Sequence, residues 1–524
     1  MLLAKSTYLT TLRQLLSYTI VILYILFLLS TNELLFQDYP NHLARAYIIS
    51  DLVFDKGKLF GNLYKFKLIL SPYILGDFLL ATLIKLFGHV IASKIFVIGA
   101  VLSIPISIAL YQIARNEYNP LAWLISLYLS MSWFLFVGFL NFLYGIALVF
   151  VTLASLEKYL RSLKKYWLII FYFLTQCTYL MHLAAFVTLG FSSLVYFVIY
   201  GMDRNKKPLL LATFSFILPT ILYLYTMVFP INKTIKYSWT FDMNIIHKIF
   251  RIGAMFVRYS YTIDILLFTL FAFIIWQGIR SQREPLHIKI SKSLKKEALK
   301  IIGAQLLSSP LLKKRENLII ICGGLFVFYY IAPRNALGVC DVDYRFLPFL
   351  FLFMVTIAIP KKAKINFFIV YLLLISNLIY LSTYSLNLNT SIKEYLSISK
   401  YIPIRARVCS IVTTHDIGRI SLYEHLHEHM VISRLIWTPC LFSGSQPGQP
   451  MKYFEYLNRP KWIKTHTFRI RSSPQKFPWE CVFETFDYIL ITKPHYKLKP
   501  FLKTKTSLVS ENKIVSLYRV VGRK

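Results

Sequence analysis

The sequence predicts an all-α membrane bundle of about eleven transmembrane helices, with interfacial helices in the first outer loop, followed by a small α/β C-terminal domain outside the membrane. Three observations lead there. With 56% hydrophobic residues and a mean hydropathy of +0.55, a chain of 524 residues is too apolar for an ordinary soluble protein. Apolar runs of spanning length recur through residues 1–389, the expected membrane domain, and stop at about residue 390. Lysine and arginine gather in alternate connections between those runs, as the positive-inside rule asks. That rule and anionic headgroups account for most of the formal net charge of +35, so nucleic acid is not the expected partner.

The first run, Leu15 to Leu35, follows Lys5 and Arg13, which sets the N-terminus on the cytoplasmic side. It lacks a small-residue cleavage site and reads as a span rather than a leader. The outer loop 36–90 follows. Its segment SPYILGDFLLATLIKLFG, Ser71 to Gly88, carries Asp77 and Lys85, poor residues for a bilayer centre, and is read as an amphipathic helix in the outer interface. The remaining spans fall at 91–114, 120–137, 139–156, 166–181, 183–200, 208–229, 260–279, 317–332, 345–360 and 364–384. With the segment 71–88 kept out of the membrane, the basic connections all face one side: Arg115, Glu157 to Lys165, Asp203 to Lys207, Arg280 to Arg315, and Lys361 to Lys364. The turn GFLNF (Gly138 to Phe142), Met181–His182, the loops 230–259 and 332–345, and the tail 390–524 face the other.

The tail is more polar. Runs such as Arg407 to Thr414, Tyr488 to Thr492 and Ile514 to Val521 read as strands, and Ser421 to Leu435 reads as a helix. SGSQPGQP, Ser443 to Pro450, is a loop by its glycine and proline content. Six cysteines show no CxxC spacing, so neither a zinc nor a redox motif is indicated. Cys340, Cys409, Cys440 and Cys481 lie on the outer side, where a disulfide is chemically allowed but its pairing is not readable.

The stretch QDYPNHLAR, Gln37 to Arg45, carries the functional reading. An acid, Asp38, stands where the first span leaves the membrane, and Pro40 interrupts the helix. His42 and Arg45 follow at a spacing that shares one face of a short surface helix. A carboxylate, an imidazole and a guanidinium at a membrane surface suit chemistry on a lipid-borne substrate. Asp38 is the candidate base, against the plainer alternative of an interfacial acid capping the next helix. His42 orients acceptor or carboxylate, or packs against the first span. Arg45 binds phosphate or snorkels to headgroups. Arg345 is the candidate phosphate clamp, unless it pairs with Asp341 or Asp343; Arg334 is a second candidate on the same side. His182 sits at the outer edge of its span, and Asn141 at an outer turn. Trp239 and Asp242 suit a sugar ring, although an interfacial belt explains the tryptophan equally well. EHLHEH, Glu424 to His429, with His415 and Asp416 before it, invites a metal reading. Without HExxH spacing it is expected to be a solvated helix face.

Asp38 in QDYPNHLAR, together with Pro72, Lys85, Leu86, Phe87 and Gly88 in SPYILGDFLLATLIKLFG and the run YRFLPFL (Tyr344 to Leu350), resembles the GT-C superfamily. These are polytopic glycosyltransferases such as protein O-mannosyltransferases and lipid A aminoarabinose transferases. The similarity is one of layout over the first two thirds of the chain. It implies transfer of a sugar from a polyprenyl-phosphate donor to a glycan, lipid or protein acceptor outside a membrane of bacterial inner-membrane type, with inversion. Asp38 matches the family's acid in the first outer loop, a base or metal ligand. Many members carry paired acids there, whereas Gln37 and Tyr39 flank Asp38; a divalent metal, Mg or Mn, is therefore left open rather than required. Beside Asp38, the residues His42, Arg45, Lys85, His182, Arg334 and Arg345 are the expected substrate-binding set. The rival class is a transporter of lipid-linked glycan without chemistry.

Overall fold

The computed structural model describes residues 2–31, 36–201, 207–228, 239–282, 310–335, 341–361, 363, 365–413, 416–443, 453–463, 468–470, 474–493 and 496–522. The basic connection 203–206, most of 280–315, Lys362 and Lys364, His415, Cys340 and nearly all of SGSQPGQP lie outside them.

The first helix, α1 (Leu2–Ser30), ends before the acidic stretch. Pro40 then opens a new helix, α2 (Tyr39–Phe54), rather than merely stopping the old one, because its missing N–H costs nothing in a first turn. A short strand β1 (Tyr64–Phe66) follows, and then α3 (Ile74–Arg115). Helix α3 is two helices joined at Gly88, whose φ of 73° and ψ of 161° interrupt the helical path. The break falls where the interfacial segment was expected to give way to the second span. Phe78, Leu79, Leu86 and Phe87 before it are exposed, as a helix lying against lipid requires.

The bundle continues with α4 (Pro120–Ser130), α5 (Trp133–Val137), α6 (Leu140–Ser162), α7 (Lys165–Met181), α8 (Leu183–Gly201), α9 (Lys207–Thr213), α10 (Ile217–Val228), α11 (Ile245–Ala254), α12 (Tyr261–Ser281), α13 (Pro310–Ile331), α14 (Leu347–Ala358) and α15 (Phe367–Ser397). Among the described residues, eight helical segments are long and apolar enough to cross a membrane: Arg13–Ser30, Ile74–Arg115, Pro120–Val137, Leu140–Ser162, Leu183–Tyr200, Pro208–Tyr225, Tyr261–Ser281 and Phe367–Tyr401. The expected spans at 166–181 and 345–360 are shorter helices, and that at 317–332 is the apolar stretch Glu316–Ile331 of α13. Helix α14, with 12 residues, reaches about 18 Å, well short of a hydrocarbon core of about 30 Å. The protein is an integral membrane protein whose outward-facing helix surfaces are apolar along their length.

Helix α11 has its polarity turned inside out. Ile245, Ile246, Ile249 and Phe250 face outward, while Lys248 and Arg251 are buried. Arg251 binds Asp343 and Asp341, each at 2.7 Å, and Lys248 donates to the carbonyls of Tyr329 and Tyr330 at 2.7 Å. Cations pinned inward and isoleucines outward fit a helix lying in lipid.

Helix α15 continues past residue 390 into the tail, where β2 (Val408–Val412), β3 (Phe454–Tyr456), β4 (Phe468–Arg469), β5 (Tyr488–Thr492), β6 (Thr506–Glu511) and β7 (Val515–Val520) are found, with the short helices α16 (His429–Arg434), α17 (Trp479–Thr485) and α18 (Lys499–Leu502). Five strands form one sheet in the order β4-β2-β5-β7-β6. The β2 pairs are parallel and the β7 pairs antiparallel. Every residue of β2 is buried, as a central strand covered on both faces should be. The remaining strand, β3, pairs antiparallel with β1, Tyr64 opposite Tyr456, so the first outer loop and the tail share backbone hydrogen bonds.

The helix expected over Ser421 to Leu435 shrinks to one turn of 3-10 helix, Leu426–Glu428, and the six residues of α16. It is not a solvated face. His425, His427 and Glu428 are buried against α2, and that contact defines the site.

Candidate active site

Asp38 is the residue before α2, at the position of a helix cap, yet its side chain makes no capping hydrogen bond. Its backbone N–H donates instead to Val137 O at 2.8 Å, and that of Gln37 to Phe136 O at 2.9 Å. The chain comes this close only because residue 138 is glycine. Its φ is +97°, and a Cβ there would lie 2.6 Å from the Tyr39 nitrogen.

The tail closes over this stretch. His425 Nε2 lies 3.8 Å from Asp38 Oδ1, and His425 Nδ1 lies 3.0 Å from Glu428 Oε1. Asn41 joins the two parts: its amide donates to Glu428 Oε1 at 2.8 Å and to Cys440 O at 3.0 Å, while its carbonyl accepts from Phe442 N at 2.9 Å. Gln37 donates to Glu424 at 3.2 Å and accepts from Ser421 N at 2.9 Å. It is a clamp on the tail.

Burial decides the electrostatics. It pushes the Asp38 carboxyl up from 3.8 to about 7, with Glu424 and Glu428 adding to the rise and His425 opposing it. Burial lowers the His425 imidazole, but Glu428, Asp38 and Glu424 outweigh that and hold it at about 9. Burial also lifts Glu428 to about 7 against the pull of His425 and Asn41. Near neutral pH the site thus holds an imidazolium between two carboxyls that are each close to half-protonated. Among the described residues no three His, Cys, Asp or Glu side chains are grouped as a metal ion needs. Glu428 Oε1 is engaged by Asn41 and His425.

His42 and Arg45 share a face of α2, as their spacing requires, but they turn to the protein. Arg45 grips Asp77 through Nε at 2.6 Å and Nη2 at 2.9 Å and donates to His42 Nδ1 at 2.7 Å. Tyr453 from the tail donates to Asp77 at 2.6 Å. Burial and the neighbouring Arg45 lower the His42 imidazole, so it accepts as a neutral ring. Asp77, read only as an acid ill suited to a bilayer, is therefore the partner that makes a fully buried Arg45 tolerable. Lys85 forms an exposed pair with Asp55 at 2.6 Å.

The second cluster lies across the same turn. Arg345 Nη1 is 2.9 Å from His182 Nε2 and donates to Tyr73 OH at 3.3 Å. Its guanidinium sits 5.0 Å from the Phe139 ring centroid, and the His182 ring packs on Phe142 and Tyr73, both at 4.8 Å. Asp341 and Asp343 do not hold Arg345, because Arg251 and Lys248 of α11 hold them. Arg334 is half-exposed, 4.0 Å from Asp341. Asn141 reaches the Tyr73 carbonyl at 3.5 Å. Trp239 is exposed and Asp242 pairs with His247, while Cys409, Cys440 and Cys481 are free thiols.

The two clusters are tied through GFLNF. Val137 accepts from Asp38, and Phe139, two residues on, carries Arg345. Two residues span at most about 7 Å of backbone, so both clusters rest on the one turn between α5 and α6. The sequence signal for His425 and Glu428 was present: five ionisable residues in six, in a tail that is otherwise basic. What pointed away from them was the assumption of a helix face in water.

No protein-family model matches the chain, and no curated protein sequence matches it. Solved structures do. The crystal structure of ArnT from Cupriavidus metallidurans in the apo state matches with a TM-score of 0.53 at 10% identity, covering 98% of each chain. The structure of ArnT from Cupriavidus metallidurans bound to undecaprenyl phosphate matches with a TM-score of 0.53 at 11% identity and the same coverage. Coverage of both chains end to end takes in the helical bundle and the tail together. This chain has a fold similar to that of ArnT along its whole length.

Proposed function

We propose that the protein is a membrane glycosyltransferase that moves a sugar from a polyprenyl-phosphate donor to an acceptor outside the membrane. The acceptor hydroxyl attacks the anomeric carbon while Asp38 takes its proton. The bond from that carbon to the phosphate oxygen breaks, and the polyprenyl phosphate departs with its charge facing Arg345 and His182. A single displacement inverts the anomeric centre. A base with a pKa near 7 is well matched to this work, since it is ionised at neutral pH yet still draws the proton. His425 and Glu428 hold the carboxylate's charge state, and the overlying tail excludes water that would otherwise hydrolyse the donor. The ArnT fold supports the reading, and the bound undecaprenyl phosphate in one ArnT structure supports the class of donor.

The observation that carries it is the pairing of an acid spared from capping with a guanidinium and an imidazole across one turn. The test is incubation of membranes with labelled polyprenyl-phosphate sugars and mass analysis of the products. Wild-type protein should release polyprenyl phosphate, and Asp38→Asn should release at least 100-fold less while inserting normally. Normal turnover by Asp38→Asn removes Asp38 from the mechanism. Donor bound but never cleaved by wild-type protein returns the case to a transporter.

A further inference from the structure

At the end of the bundle away from Asp38 lies a second cavity, of about 660 Å³, which the transfer reaction does not use. Its place follows from α1: Arg13 lines it, and Ser30 closes the same helix on the Asp38 side, about 26 Å further along. Helix α15 runs parallel to α1, with Ser17 bonded to Tyr371 at 3.0 Å and Tyr24 to Leu374 O at 3.0 Å. The start of α15 therefore shares this end as well.

We propose that this cavity binds a phosphate-bearing group, the headgroup of an anionic phospholipid from the adjoining leaflet. Arg13 and Lys361 line it and are exposed, and no acid is among its lining residues. Among the described residues no carboxylate pairs with either cation; the Arg13 guanidinium rests 4.3 Å from the centroid of the Phe367 ring. The nearby Glu117 is taken by Arg115 at 3.1 Å. Two helices also begin here, α4 after Asn119 and α15 after Asn366, so two positive dipole ends add to the two cations. Tyr18, Tyr118 and Trp123 give the cavity the amphipathic aromatic wall typical of headgroup depth. Leu15, Leu16 and Ile22 on other faces of α1 are exposed, as a helix in contact with acyl chains requires. The positive-inside rule alone calls for cations on this side, but not for two of them on one acid-free cavity between helix N-termini.

Native mass spectrometry of the delipidated full-length protein, titrated separately with phosphatidylglycerol, phosphatidylcholine and inorganic phosphate, tests this. One phosphatidylglycerol should bind at least tenfold more tightly than phosphatidylcholine. The double variant Arg13→Gln/Lys361→Gln should lose that preference, while Lys164→Gln/Lys165→Gln, which removes two cations outside the cavity, should keep it. Lys361→Glu, at an exposed position, serves should the change at Arg13 disturb insertion, and should weaken binding at least as much as Lys361→Gln. Inorganic phosphate binding as tightly as the lipid, and through the same two residues, would identify the ligand as free phosphate. A phosphatidylglycerol preference that survives both cavity variants, or that falls equally in the Lys164/Lys165 control, overturns the proposal.

Discussion

At the scale of single residues, the site is governed by what burial does to charge. Asp38 at about 7 and His425 at about 9 set the two limbs of the expected pH profile. Transfer should rise with pH until Asp38 is ionised near 7, and fall again as His425 loses its proton near 9. Glu428 is the chief support of that high imidazole value, so Glu428→Gln should move the alkaline limb down towards 6.5. An unmoved alkaline limb in the rate profile would detach His425 from the reaction. Arg45 illustrates the same physics in a structural role. Arg45→Ala or Asp77→Ala leaves a buried charge alone, and each should cost about 3–5 kcal/mol. Replacing both by apolar residues of similar volume should cost less than either, read from thermal melting in detergent.

At the scale of elements, two glycines direct the path. Gly138 has a positive φ and no room for a Cβ against Tyr39, whereas Gly88 has a positive φ and open space around it. Gly88→Ala should cost about 1–3 kcal/mol from backbone strain alone. Gly138→Ala should cost more and should lower transfer beyond its loss of stability, because it pushes the Asp38 segment away from α5. Equal losses in the two variants, in melting temperature and in rate, would show that the close approach at Gly138 does not matter.

At the scale of the molecule, the tail is joined to the bundle by polar bonds, two of them buried on both sides, Asn41 to Glu428 and Tyr453 to Asp77, and one part-buried, Gln37 to Glu424. The folded-state value of His425 lies above its unfolded value of 6.5, so its contribution is complete below about 6.5 and is lost as pH rises through 9. Asp38 and Glu428 act in the same direction, since both favour the protonated form when folded. Thermal stability should therefore decline between pH 6.5 and 9.5, and the decline should be smaller in His425→Asn.

Much of the architecture was legible in the one-dimensional pattern, because a bilayer imposes a length on every span and a sign on every connection. Hydropathy located most of the long helices of the bundle, and a proline, an acid and a basic pair three residues apart marked α2. The same reading named His182 and Arg345 separately. That they lie 2.9 Å apart, that Asp341 and Asp343 belong to Arg251, and that His425 and Glu428 come to rest on Asp38 were settled only by folding. Those partners stand 90 to nearly 400 residues apart, and no local propensity encodes which buried charge will meet which. The membrane writes its demands along the chain, whereas desolvation acts between parts of the chain that meet only once the tail has closed over the first loop.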